Sequence, residues 1–198
     1  MNKVGILAYG SLVSDPGIEI EPLIIARIKT KTPFPVEYLR LSHGRAGAPT
    51  LAPSKSGIPV SAEVLVLADN ISLDLANDLL WRRETRNEGT NLKYRTKASP
   101  NAVIIQVLRT FAGINQVLYT DFHSIGKLDH PTPSELAKAA IASVQNAPVG
   151  KDGITYLMNR ISDDVKTELS DSYIRDILLM TNSKSLTEAY EVASRRFI

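Results

Sequence analysis

The chain of 198 residues is 43% hydrophobic, enough for one domain with a proper core. Its 23 basic and 21 acidic residues leave a net charge of +2, too weak a field to hold nucleic acid or an anionic membrane. The absence of cysteine excludes disulfides, thiolate metal sites and cysteine nucleophiles.

In chain order, the apolar run Val4-Gly5-Ile6-Leu7-Ala8 predicts a buried strand that ends in Tyr9-Gly10-Ser11-Leu12 and then Asp15-Pro16-Gly17. That run is too short for the core of a secretory signal and no run reaches membrane-spanning length, so a cytoplasmic protein is expected. Glycine at a strand end lets a ligand approach the backbone, and successive N–H groups there form a concavity for a carboxylate or carbonyl oxygen. The same residues also fit an ordinary tight turn. Ile18 to Lys31, interrupted by Pro22, reads as irregular and strand-like toward its end. Val36 to Ser42 alternates as a half-buried strand does, Gly44 to Pro49 is a loop, and Thr50 to Pro53 is extended. Ser54 to Pro59 turns into Val60–Leu67, a valine-rich strand.

Leu73, Ala76, Leu79, Leu80 and Arg83 recur at helical spacing, which predicts a helix from Ile71 to Arg86. It is expected to end near Asn87-Glu88-Gly89, with Gly89 taking the left-handed position. Leu92 to Lys97 alternates, and Ala102 to Leu108 and Gln116 to Thr120 read as strands. Ser134 to Ser143, Ile154 to Leu169, Ser172 to Leu179 and Leu186 to Arg195 are helix-like. The expected fold is α+β: a small mixed sheet or barrel from the first two-thirds, a central helix, and a helical C-terminal tail from about residue 134, all within one domain over 1–198.

His43, His123 and His130 are scattered, so no metal site is expected. Tyr9 to Val13 lacks the second glycine of a nucleophile elbow, and neither a P-loop nor a dinucleotide fingerprint is present. The charged helix end Leu80-Trp81-Arg82-Arg83-Glu84-Thr85-Arg86-Asn87-Glu88-Gly89 fits a solvated face. It also offers a carboxylate that serves as a general base if the sheet brings it to the strand-end turn.

With these residues in place, the strand followed by Tyr9-Gly10-Ser11-Leu12 resembles the Tyr-Gly-Ser-Leu/Asn signature of the gamma-glutamylcyclotransferase superfamily. Gly47-Ala48-Pro49-Thr50-Leu51-Ala52-Pro53 with the strand after it resembles that family's second hairpin, and Leu80-x-x-Arg83-Glu84 its Leu-x-x-Arg-Glu. Val117-Leu118-Tyr119, Glu135-Leu136-Ala137, Gly153-Ile154-Thr155-Tyr156-Leu157 and Asp171-Ser172-Tyr173-Ile174 are similar to the C-terminal pattern of the glutathione-specific ChaC branch. The longer stretch between Glu84 and Tyr94 departs from that branch. Glu88-Gly89 followed by a tyrosine resembles another branch of the superfamily.

The resemblance implies a gamma-glutamylcyclotransferase with Glu84 as catalytic acid and base and Glu88 as the alternative. Tyr9, Gly10, Ser11, Leu12 and Tyr94 would bind substrate, with no metal or cofactor. The implied partner is a small γ-glutamyl compound, glutathione or another γ-glutamyl amine or peptide, which cyclises to 5-oxoproline; neither nucleic acid nor membrane is a partner, and the oligomeric state is open. Two other readings stand beside it: a non-catalytic binding or interaction module on the same fold, and a hydrolase that uses the Ser11 hydroxyl.

Overall fold

Ile6, Ala8 and Leu12 at the start of the chain share one apolar cluster with Leu79 and Leu80, more than sixty residues later. The computed structural model that places them describes residues 3–95, 102–123 and 127–195. Among these residues are seven strands and five α-helices, the α+β mixture expected from the sequence. They divide into two compact units, one over 1–32 and 61–126 and the other over 33–60 and 127–198.

The first unit is built on a five-stranded sheet of β1 (Val4–Ala8), β2 (Ile24–Lys31), β5 (Ser61–Leu67), β6 (Val103–Phe111) and β7 (Ile114–Phe122), in the order β2-β5-β1-β7-β6. Strand β1 is buried along its whole length, antiparallel to β5 and parallel to β7, so the sheet is mixed. Alternation sends Val4, Ile6 and Ala8 to one face, where Ala76, Leu79 and Leu80 of helix α1 (Leu73–Thr85) complete the core.

Helix α1 starts where the Ser72 hydroxyl accepts the Leu75 N–H at 3.2 Å, with Asp74 in its first turn. It ends earlier than the sequence predicts. Arg86, not Gly89, takes the left-handed position, at φ 58°, and Asn87 N–H closes on the Arg82 carbonyl at 2.8 Å. Gly89 is also left-handed, at φ 77°, but sits in the turn beyond. The alternation expected over Leu92 to Lys97 makes no strand within 92–95, and residues 96 and 97 lie outside the described residues. Side chains have taken that backbone instead: Arg82 donates to the Leu92 carbonyl at 3.0 Å, and Asp78 accepts the Tyr94 N–H at 2.8 Å.

The second unit contains the antiparallel pair β3 (Val36–Ser42) and β4 (Ala48–Pro53), which the sequence had suggested would join the one sheet. Every residue of β4 is buried, against helices α2 (Pro133–Ser143) and α3 (Gly153–Ser162). Helices α4 (Ser170–Thr181) and α5 (Leu186–Arg195) complete the unit, so the helices expected as a tail have a β-hairpin as their base. A full capping box, Thr132 with Glu135, starts α2. Gly153 lets α3 approach α2, since a Cβ there would lie 2.7 Å from Ala140 Cα. Helix α3 stops at Ser162 rather than running to Leu169, and Asp164 turns left-handed at φ 56° behind it. No helix among the described residues is long and apolar enough to cross a membrane.

Candidate active site at the end of β1

The predicted site residues that meet do so inside the first unit, at the junction of the β1 turn and the last turn of α1. After Ala8 the chain coils: Val13 N–H returns to the Gly10 carbonyl at 3.2 Å, and Asp15 N–H to the Ser11 carbonyl at 2.8 Å. Coiling uses the carbonyls and leaves the preceding donors over. Among the described residues, the N–H groups of Ser11 and Leu12 have no acceptor. The turn is anchored by Tyr9, buried to 5% exposure, whose hydroxyl donates to the Thr120 carbonyl on β7 at 2.8 Å.

Glu84 reaches this turn through its neighbour. Consecutive residues on a helix point about 100° apart, yet the long Arg83 side chain bends back so that Nη1 donates to Glu84 Oε1 at 2.7 Å. Its Nη2 donates to Ser11 Oγ at 2.9 Å and to the Asp15 carbonyl at 2.5 Å. Glu84 and Ser11 are therefore bound by the two arms of one guanidinium. The Glu84 side chain is 15% exposed and that of Arg83 11%, half-buried rather than sealed. The pair also answers a local problem, because Glu84 places a carboxylate at the negative end of α1 and Arg83 neutralises it there.

The loop after the turn is laced to the same helix end. Arg82, 7% exposed, donates from Nε and Nη2 to both oxygens of Glu19 at 2.9 and 3.0 Å. Hydrogen bonding to Glu19 raises the Arg82 pKa above the ordinary arginine value despite burial. Glu88, the alternative base, faces this loop: its Oε1 accepts the Glu19 N–H at 3.5 Å. A Cβ on Gly17, which is left-handed at φ 94°, would lie 2.3 Å from that oxygen. Tyr94 is held by other partners. Its N–H goes to Asp78 on α1, its hydroxyl accepts the Ile105 N–H on β6 at 3.2 Å, and it makes no hydrogen bond to Glu84 or to the turn.

Chemically, the junction offers a carboxylate, a guanidinium and two unpaired N–H donors. It disfavours the serine-hydrolase reading, because the Ser11 hydroxyl is held by a guanidinium, a donor that cannot accept its proton. Arg83 was visible in the sequence only as part of a motif and a helix face. The signal for its role was an arginine directly before a glutamate at a helix end, with Asp15-Pro16-Gly17 after the glycine turn. No cluster of three or more metal-ligating side chains occurs among the described residues.

No family model matches the sequence, and no curated protein matches it significantly. Among solved structures, the chain is similar to a gamma-glutamyl cyclotransferase specific to glutathione from yeast. The two share 12% identity over 98% of each chain, with a TM-score of 0.47.

Proposed function

We propose that the protein is a gamma-glutamylcyclotransferase, with Glu84 as its single acid and base. The observation that carries this reading is the meeting of Glu84 with the Tyr9–Leu12 turn through Arg83, which brings two of the motifs quoted for the resemblance to one half-buried place. A γ-glutamyl compound would lay its α-carboxylate or its developing oxyanion against the Ser11 and Leu12 N–H groups. Glu84 takes one proton from the α-ammonium, the freed amine attacks the γ-carbonyl carbon, and Glu84 returns that proton to the leaving nitrogen as its C–N bond breaks; the second proton, shed by the attacking nitrogen as it becomes the lactam N–H, leaves with the departing amine as its ammonium. The products are 5-oxoproline and the amine, which from glutathione is cysteinylglycine. Holding the glutamyl chain in its ring-closing shape supplies much of the rate, because well-aligned intramolecular attack reaches effective molarities of about 10⁵ M or more.

The test is to incubate the purified protein with glutathione and a panel of γ-glutamyl amides and to assay 5-oxoproline. Multiple turnover on at least one is expected, and a folded protein that yields none sinks the reading. The ion pair that already occupies Glu84 favours one alternative, a binding module on the same fold. That module would be stabilised thermally by γ-glutamyl compounds and release no product.

A further inference from the structure

We propose that Arg83 is the positioning residue of this site: its guanidinium fixes the distance and angle between the Glu84 carboxylate and the β1 turn. The inference rests on the cyclotransferase reading, because it assigns how the base of that reaction is aimed. Two observations carry it. The first is the fork. Nη1 holds Glu84 Oε1 at 2.7 Å while Nη2 holds Ser11 Oγ at 2.9 Å, and the planarity of the group makes these two contacts rigidly related. Without the fork, a carboxylate beside the last carbonyls of α1 is repelled toward water, away from the turn.

The second is the path made for the side chain. A Cβ on Gly17 would lie 2.8 Å from Arg83 Cγ, and Gly17 holds a backbone angle that favours glycine. The loop after the turn thus leaves open the volume that the arginine stem crosses. Its far side closes on the guanidinium through the Asp15 carbonyl at 2.5 Å and the Asp15 carboxylate at 3.9 Å. Arg83 is 11% exposed along this route, consistent with a fixed strut rather than a surface charge.

The decisive variant is Arg83→Lys. It keeps the charge and the stem, but a single ammonium cannot span both partners with the same geometry. A misplacement of about 1 Å costs up to about a hundredfold in rate, so kcat is expected to fall by about tenfold to a hundredfold with KM nearly unchanged. Ser11→Ala, which cuts the other arm, should lower kcat in the wild-type background and add little in Arg83→Lys. Recovery of kcat by lysine, a loss confined to KM, or effects of the two variants that multiply independently would each overturn the proposal. A readout that needs no turnover keeps it separate from the reaction itself. In a crystal structure of Arg83→Lys the Glu84 carboxylate should have left the Ser11 turn, and a carboxylate found unmoved there refutes the positioning role even if wild-type protein makes no 5-oxoproline.

Discussion

Each unit holds an arginine against a carboxylate, and the two are built for opposite ends. Arg160 in α3 is 1% exposed: its Nη2 lies 2.9 Å from Asp163 Oδ2, and its guanidinium lies 5.2 Å from the centre of the Tyr156 ring. Tyr38 stands edge-on to Tyr156 and to Tyr173, with centroids 6.4 and 5.1 Å apart, and both Tyr38 and Tyr173 are wholly buried. Arg83 and Glu84 keep a fraction of their side chains open and lie beside unpaired backbone donors. The same ingredients give, in the one unit, a guanidinium sealed among aromatic rings and, in the other, a partly open one at a candidate site where a ligand can compete for it.

The sharpest way to break this contrast is at Glu84. Glu84→Gln should lower 5-oxoproline formation about 10²-fold to 10⁴-fold while the thermal midpoint moves little, and Glu88→Gln should retain most activity; the reverse pattern in initial rates would move the base to Glu88. In the sealed cluster the effect should fall on stability instead. Arg160→Ala removes a buried guanidinium from Asp163 and from the Tyr156 ring, at a cost of about 3 kcal/mol, read as a lower urea midpoint with kcat per folded molecule unchanged.

A smaller effect separates the units by pH. Glu37 on β3 accepts the Tyr38 N–H at 2.8 Å and the Leu169 N–H at 3.1 Å, yet burial outweighs these bonds and raises its pKa above the ordinary 4.5. A carboxyl raised in the folded state contributes its full stability below 4.5 and loses it as pH climbs through the raised value. The unfolding free energy of wild type minus that of Glu37→Gln should therefore decline as pH rises from 4.5, measured by denaturant titration, and a flat or rising difference would contradict the assignment. Smallest is Tyr173→Phe. Among the described residues the buried Tyr173 hydroxyl has no hydrogen-bond partner, so its loss should change stability by less than about 1 kcal/mol or raise it; a larger loss in the urea midpoint would reveal a bond to that oxygen.

What the sequence revealed follows the range of each interaction. Strand β1 and helix α1 are set by neighbours a few residues apart, and their patterns were legible. Alternation in Val36–Ser42 announced a strand but not its partner, so the departure of β3 and β4 into their own hairpin was hidden. The Leu92 to Lys97 pattern misled for a related reason: Asp78 and Arg82, more than a turn of helix away in sequence, claimed its backbone groups. At the candidate site, the turn and Glu84 were legible by likeness to a family. The Arg83 fork was not, because the direction of a flexible side chain is fixed only when residues 11, 15, 17 and 83 come together in space.

The parallel pairing of β1 with β7, which begins at Val4 opposite Gln116, has a consequence for synthesis on the ribosome. A nascent chain that has just released Glu84 contains Tyr9 through Glu84 but lacks both the neighbouring strand and the Thr120 carbonyl that anchors Tyr9. Pairings so distant in sequence form late because closing a long loop comes before any reward from the contact. The candidate site therefore matures only after the message for β7 has been translated, and a chain cut short before residue 120 is expected to be inert however well its helix forms.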